Sequence, residues 1–465
     1  MLKNEEVREM RNAETVLGVI QDRGKRGLFL EDLYRQLFNP SLYLRAYGRI
    51  YRNDGAMTPG VTPETVDGMS QGKIAAIIEQ LRHERYRRTP VRRVYIPKSN
   101  GKMRPLGVPT WSDKLLQEVI RSILDAYYDP QFSLFSHGFR PGRGCHTALV
   151  QIQKVWVGTK WFIEGDIKGY FDNIDHEVLL SILREKIHDG RFIRLIGELL
   201  KAGYLENWSY RPTHSGAPQG GIISPLLSNI YLDWFDRWVR TELIPAHTRG
   251  KVRRKTKEYR RIERLVEKAR ERDDGAALKA LHQMQRQMPS RDHQDPDYSR
   301  LRYVRYADDF LFGFIGTKEE AMAIKSKVRD WLRDNLKLEL SEEKTLITHA
   351  RTEAARFLGY ELSVFWSDTR RSVNGNIRLA IPEDKVQAAC NQFMANGRPI
   401  HRTDLASESD YNLIARYGIV YRGLMNYYIF AHNIARMNTI FWVMRSSLLM
   451  KCSGSVARSR RPPTS

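Results

Sequence analysis

Cysteine is nearly absent. Cys145, Cys390 and Cys452 are the only three in 465 residues, and no two have the spacing of a zinc or redox motif. The odd, scattered set argues against a disulfide framework and predicts a reducing compartment. Long apolar runs are missing too. No stretch is long enough to cross a bilayer, and the charged start MLKNEEVREMRNAETVLGVI has no signal-type apolar core, so a soluble, intracellular protein with no membrane partner is expected. Acids are scarce relative to bases: 54 Asp and Glu against 76 Lys and Arg, a net charge of +22 and a pI near 9.8. A surplus of that size predicts a polyanionic partner, most often nucleic acid, rather than charge spread evenly for solubility.

What is present is a globular composition, 42% hydrophobic and 28% charged, at a length that suggests two or three domains. Residues 28–85 read as helices separated by the turn-rich loop YRNDGAMTPGVTPETVDGMS. In RRVYIPKSNGKMRPLGVPT, Asn100-Gly101 marks a hairpin between short strands. WSDKLLQEVIRSILDAYYDP predicts a helix with Ser112 as N-cap and Pro130 as the stop. GAPQGGIISPLLSNIYLDWFDRWVRTEL reads as a glycine-rich turn feeding a long amphipathic helix. Residues 246–300 are polar and basic, a solvated helical insertion. From about 380 the apolar spacing is helical again, with His432 on an apolar helix in a core or capping role, and CSGSVARSRRPPTS reads as a disordered tail.

The stretch LRYVRYADDFLFGF, residues 301–314, sets two like charges inside an apolar strand pattern. The chain carries its own control. Asp273-Asp274 lies among charged residues and a glycine, and reads as an exposed turn between helices. Asp308-Asp309 is instead flanked by Tyr303, Val304, Tyr306 and Ala307 before it and by Phe310, Leu311 and Phe312 after it. The pattern predicts a β-hairpin with Ala-Asp-Asp at its tip. Two carboxylates held together repel, and a divalent cation such as Mg²⁺ relieves that repulsion; the other reading is a turn that merely tolerates acids. Asp166, at the end of the apolar run in KWFIEGDIKGYFDNID, offers a third carboxylate if the two strands lie side by side. Three carboxylates on two strands can hold two Mg²⁺ ions for in-line nucleotidyl transfer.

These residues resemble a known family. YADDF is similar to the catalytic hairpin of reverse transcriptases, in the form typical of bacterial group II intron enzymes. IPKSNGKMRPLGVPTWSDKLLQ, FSLFSHGFRPGRGCHTAL, GDIKGYFDNIDH, GAPQGGIISPLLSNIYL, SEEKTLITHA and RFLGYEL resemble that family's successive blocks in order, and RYGIVYRGLMNYYIFAHN resembles its maturase or thumb region. The likeness covers residues 28–450. It implies an α+β right-hand polymerase fold, fingers and palm around an antiparallel sheet flanked by helices, followed by an α-helical thumb. The divisions it suggests are 1–85 for an N-terminal extension and the start of the fingers, 86–375 for fingers and palm, 376–450 for the thumb, and 451–465 for the tail.

The resemblance also implies roles. Asp166, Asp308 and Asp309 match the catalytic, metal-binding acids, with the carbonyl of Ile167 as a further ligand. Phe171 matches the steric gate that rejects a ribose 2′-hydroxyl, beside Tyr170 at the nucleotide. Lys98 and Arg104 match the residues that hold the triphosphate, Lys as a point charge and Arg as a fork. Gln219 matches the residue under the nascent base pair, and Lys344 a lysine near the nucleotide phosphates. Phe357-Leu358-Gly359 resembles the primer grip. The implied activity is RNA-directed DNA synthesis for a group II intron, with two Mg²⁺ ions, dNTPs, intron RNA as template and a DNA primer or target as partners, plus RNA binding that assists splicing and retrohoming. A splicing-only RNA-binding protein, or a reverse transcriptase domesticated for defence or repair, are the alternatives. A bacterial cytoplasmic, nucleoid-associated location is expected, with an organellar one as the alternative, although no transit signal is evident. The chain departs from many relatives in lacking the His/Asn/His nuclease pattern after residue 400, where the histidines are His401 and His432, so no nicking of duplex DNA is expected.

Overall fold

The structure, a computed structural model, describes residues 11–459 apart from 54, 98–100, 102, 207–208, 212–215, 217–219, 293–294, 368, 370–372, 401, 403–404 and 406–407. The strands that position the site are β1 (Val91–Pro97), β2 (Met103–Val108), β3 (Trp161–Gly165), β4 (Tyr204–Glu206), β5 (Ser209–Arg211), β6 (Arg300–Tyr306), β7 (Asp309–Ile315), β8 (Ile347–His349), β9 (Ala355–Phe357), β10 (Tyr360–Val364) and β11 (Ile377–Ala380). Helix outweighs strand, 52% against 15%, and the class is α+β as the sequence predicts.

The central sheet has the order β6-β7-β3-β8 and is antiparallel throughout. It is buried on both faces, which is why its strands read as nearly unbroken apolar runs. Alternation then divides each strand between two cores. Tyr303, Ile163, Phe310, Phe312 and Phe314 join the larger core with the N-terminal helices, while Val304, Phe162 and Leu311 join the core shared with the C-terminal elements. A Cβ on Gly165 would lie 2.0 Å from the ring of Phe310, so only glycine lets this ring lie against β3.

The second sheet, β2-β1-β4-β5, begins with the predicted hairpin. Its last ladder pair is Pro97 with Met103, and Gly101 has a left-handed φ of +77°; Asn100 of the predicted turn lies outside the described residues. The third sheet, β11-β10-β9, turns at Leu358-Gly359 and leads to the C-terminal helices Glu383–Asn391, Asp410–Tyr427 and Met437–Ser459.

Several local expectations change. The helix Trp111–Tyr128 is capped by Thr110, whose hydroxyl accepts from the Asp113 N–H. Ser112 instead gives its N–H and its hydroxyl to Glu64, and Pro130 lies in the following short turn. The helix Ser224–Trp238 is not amphipathic but buried on most sides, and Asn229, Asp233 and Asp236 on it each have an internal partner. His432 sits in the turn between two helices, where its backbone N–H donates to the Leu379 carbonyl. The last helix continues to Ser459, with no proline before Pro462 to stop it, and residues 460–465 of the predicted tail lie outside the described part.

The insertion is a helical hairpin, Lys257–Glu271 and Gly275–Gln287. Asp273 and Asp274 form its turn, and Asp274 caps the second helix. Among the described residues no helix is long and apolar enough to cross a membrane.

One buried histidine gives this fold a pH dependence. His137 bonds Thr147 Oγ1 (2.8 Å) and Gln151 Oε1 (2.7 Å), and burial pulls its pKa down from 6.5 to about 4. Below pH 6.5 the unfolded chain takes up a proton that the folded chain refuses until about pH 4. Stability therefore falls through that window, by on the order of 2 kcal/mol at pH 5. Comparing unfolding midpoints at pH 7 and pH 5, His137→Gln is expected to lose clearly less than the native chain. An equal loss would show that His137 titrates normally.

Candidate active site

The two strands with acids do lie side by side. Gly165 pairs with Phe310, which carries Asp166 one residue further, level with Asp309. On the other side of β7, Tyr306 pairs with Asp309, so the hairpin turns through Ala307 and Asp308, and Asp309 already begins the return strand. Ala307 has φ +56°, the left-handed conformation that tight hairpin turns require. Beyond β3 the chain is pinned again. The Ser341 N–H donates to the Asp166 carbonyl (2.9 Å) and the Lys168 N–H to the Glu339 carbonyl (2.9 Å), with Ile167 bridged to Leu340 between them.

The three acids share one electrostatic field. Asp309 keeps solvent access at the start of β7, yet surrounding protein raises its carboxyl to about 6, and the charges of Asp308 and Asp166 add to the rise while Lys344 opposes it. Burial also raises Asp308. A backbone hydrogen bond, Arg104 and Arg305 pull it down, and Asp166 pushes it up. The Lys344 ammonium donates to Asp166 Oδ2 at 2.9 Å, and that bond raises the lysine's own pKa. Among the described residues no three His, Cys, Asp or Glu side chains stand together as a ready metal cage. The donor set nevertheless fits a hard divalent cation. It consists of carboxylate oxygens, which hard cations favour, and a cation, the lysine, already rests on Asp166.

The other predicted residues divide. Arg104 is exposed on β2, and its charge reaches Asp308. Phe171 is half-buried on the short helix Tyr170–Asn173, which follows directly on the left-handed Gly169. Tyr170 is a correction: its ring is buried in the core and its hydroxyl donates to the Ser228 carbonyl (2.9 Å), so its side chain does not face an incoming nucleotide. Gly220 packs closely against β2. A Cβ there would lie 2.7 Å from the Gly107 carbonyl oxygen of β2. Lys98 and Gln219 lie outside the described residues.

Phe357, Leu358 and Gly359 form the β9–β10 turn, with left-handed φ of +48° at Leu358 and +72° at Gly359. The Tyr427 hydroxyl donates to the Leu358 carbonyl (2.7 Å) and the Tyr428 hydroxyl to the Gly359 carbonyl (3.3 Å). Sequence reading assigned no such task to these tyrosines.

The central sheet thus brings Asp166, Asp308 and Asp309 to the shared end of β3 and β7, with Arg104 of the β1–β2 hairpin close enough for its charge to act on Asp308. The sequence profile described as reverse transcriptase (RNA-dependent DNA polymerase) matches residues 96–362, and that of type II intron maturase matches 376–453. The chain is 43% identical over 441 residues to the group II intron-encoded protein LtrA of Lactococcus lactis subsp. cremoris, covering 90% of this chain and 73% of that protein. It is 36% identical to a putative COX1/OXI3 intron 1 protein of Saccharomyces cerevisiae, over 89% of this chain and 52% of the relative. To nuclear intron maturase 4, mitochondrial, of Arabidopsis thaliana it is 29% identical over 55% of this chain and 30% of the relative. The chain belongs to the group II intron-encoded reverse transcriptases with a maturase domain. It is an RNA-directed DNA polymerase with a role in splicing, and its family generally uses divalent metal ions.

Proposed function

We propose that Asp166, Asp308 and Asp309 are the catalytic carboxylates, and that this chain copies intron RNA into DNA from a DNA primer or target during retrohoming. The observation that carries the reading is the register that sets Asp166 level with Asp309 while Asp308 occupies the turn. These acids and the Ile167 carbonyl would hold two Mg²⁺ ions, which when bound would supply the charge neutralisation that the 3′-oxygen and the leaving pyrophosphate need. The new bond joins the primer 3′-oxygen to the α-phosphorus of a dNTP, and the bond to pyrophosphate breaks.

The chain's residues bind and orient the reactants. Lys98, Arg104 and Lys344 hold the triphosphate. Lys344 is two-thirds exposed, so it exchanges its carboxylate partner for a phosphate oxygen at little desolvation cost. Gln219 lies under the nascent base pair. The Leu358-Gly359 turn holds the primer end. On this reading β1–β2 belongs to the fingers, the central sheet to the palm and the three C-terminal helices to the thumb. The 246–300 hairpin faces RNA. A bacterial cytoplasmic setting near the nucleoid suits these partners.

The test is sugar selectivity in single-nucleotide insertion on an RNA template. Phe171→Ala is expected to admit rNTPs roughly 10²-fold more readily relative to dNTPs, because a steric exclusion is removed. An unchanged ratio would return Phe171 to a core role and remove the basis for DNA over RNA as product.

A further inference from the structure

The hairpin that carries Asp308 and Asp309 is backed by a buried arginine that the mechanism above does not use. Arg305, on β6, is fully buried, and all five of its N–H groups have acceptors. Its Nε and Nη2 fork onto the Asp236 carboxylate (2.9 and 2.6 Å), and Nη2 also donates to Ser136 Oγ (2.9 Å). Its Nη1 donates to Asn229 Oδ1 (3.1 Å) and to the carbonyl of Ala307 (2.8 Å). The Tyr303 hydroxyl completes the Asp236 carboxylate (2.7 Å).

Ala307 is held from both sides. Gly138 approaches it so closely that a Cβ there would lie 2.4 Å from the Ala307 nitrogen, and the Asn229 amide donates to the Gly138 carbonyl (2.8 Å). Left-handed backbone at alanine costs about 1–2 kcal/mol, so the turn needs outside support. A buried ion pair is a poor way to gain stability, since a packed apolar substitute is often as good. A planar fork that reaches one specific carbonyl does something an apolar residue cannot.

We propose that Arg305 is a positioning residue: anchored by Asp236, Asn229 and Ser136, it holds Ala307 in the left-handed conformation that directs Asp308 and Asp309 toward Asp166. The inference rests on the catalytic reading of those acids. Arg305 touches no substrate. Its effect reaches the reaction through the geometry of the turn, where a displacement of about 1 Å costs roughly 10²-fold in rate.

Arg305→Lys keeps the charge but lacks the planar fork. It is expected to lower kcat for single-nucleotide addition by roughly 10²-fold, with dNTP KM and RNA affinity changed by less than about threefold. Mn²⁺ binding, followed by electron paramagnetic resonance without nucleotide, should weaken in parallel, which a purely structural lesion with intact RNA binding would not cause. Ala307→Gly removes the need for support, because glycine takes a positive φ freely. In the Arg305→Lys background it should therefore restore kcat at least several-fold. Ser136→Ala, which deletes one hydrogen bond of the fork, should lower kcat in the same direction but less; it carries the test if Arg305→Lys does not fold.

Full kcat with unchanged Mn²⁺ binding in Arg305→Lys would overturn the proposal, as would the absence of any rescue by Ala307→Gly. Asp308→Ala distinguishes the two levels. If that variant still polymerises, the catalytic reading fails; if it is inactive while Arg305→Lys is fully active, only the positioning role fails.

Discussion

Asp308→Ala is expected to reduce primer extension on an RNA template by roughly 10³-fold or more, a loss of several kcal/mol of transition-state stabilisation. RNA affinity and the unfolding midpoint should stay close to native. The fold does not need this carboxylate. Asp308 lies in a turn whose shape is carried by Ala307 and its buried neighbours, and its charge raises the pKa of Asp309 beside it. Removing it relieves like-charge repulsion in the fold. In the reaction the same crowding is useful, because a cluster of carboxylates that repel one another accepts a divalent cation readily. The assay is single-nucleotide insertion with Mg²⁺ beside RNA binding by filter retention. Steady extension by the variant would remove Asp308 from the chemistry, and a joint loss of insertion and RNA binding would indicate unfolding instead.

How much of this was legible in the sequence depends on what each residue does with its polar atoms. The acidic hairpin was legible because the apolar residues around Asp308-Asp309 contrast with the charged surroundings of Asp273-Asp274, and the structure makes the latter a helix-to-helix turn. The sheet was legible because strands buried on both faces leave unbroken apolar runs. The support under the turn was not. An arginine in the middle of LRYVRYADD reads as an exposed charge, and Asn229 and Asp236 in SNIYLDWFD read as the wet face of an amphipathic helix. Only the fold shows that these groups satisfy one another across about 70 residues of chain. Tyr170 failed for a related reason. The family resemblance put it beside Phe171 at the nucleotide, but consecutive residues on a helix diverge in direction, and Tyr170 turns into the core. Ser112 failed because Thr110 and Ser112 both carry a capping hydroxyl, and Glu64, 48 residues away, claims the second.

Binding of RNA is expected to fall steeply with salt. Each phosphate neutralised by Lys or Arg releases condensed counterions, so log K should decline linearly with log salt, and 6–10 such neutralised phosphates would cost about 10³–10⁵ in affinity between 50 and 200 mM. The net charge of +22 makes that number reasonable, and the structure shows where part of it lies. Between residues 246 and 300 there are 16 Lys and Arg against 9 Asp and Glu. Some of the acids are paired internally, as in Arg254–Asp292 and Lys255–Glu263. On the helix Lys257–Glu271, Ile262, Val266 and Ala269 form the buried stripe, while Arg260, Arg261, Arg264 and Lys268 remain exposed. These four lie outside the buried stripe, so their charge is available to a polyanion. Neutralising Arg260, Arg261, Arg264 and Lys268 together to Gln should therefore lower affinity at 50 mM salt by at least tenfold and flatten the salt slope by about two to four, roughly one for each phosphate that is no longer neutralised. The same protein should still insert single nucleotides on a short primer–template, since the acids and the β1–β2 hairpin are untouched. A slope near zero in the native protein would mean that the basic surface is not its RNA footprint. An unchanged slope in the fourfold variant would move that footprint away from the insertion and onto the remaining surface.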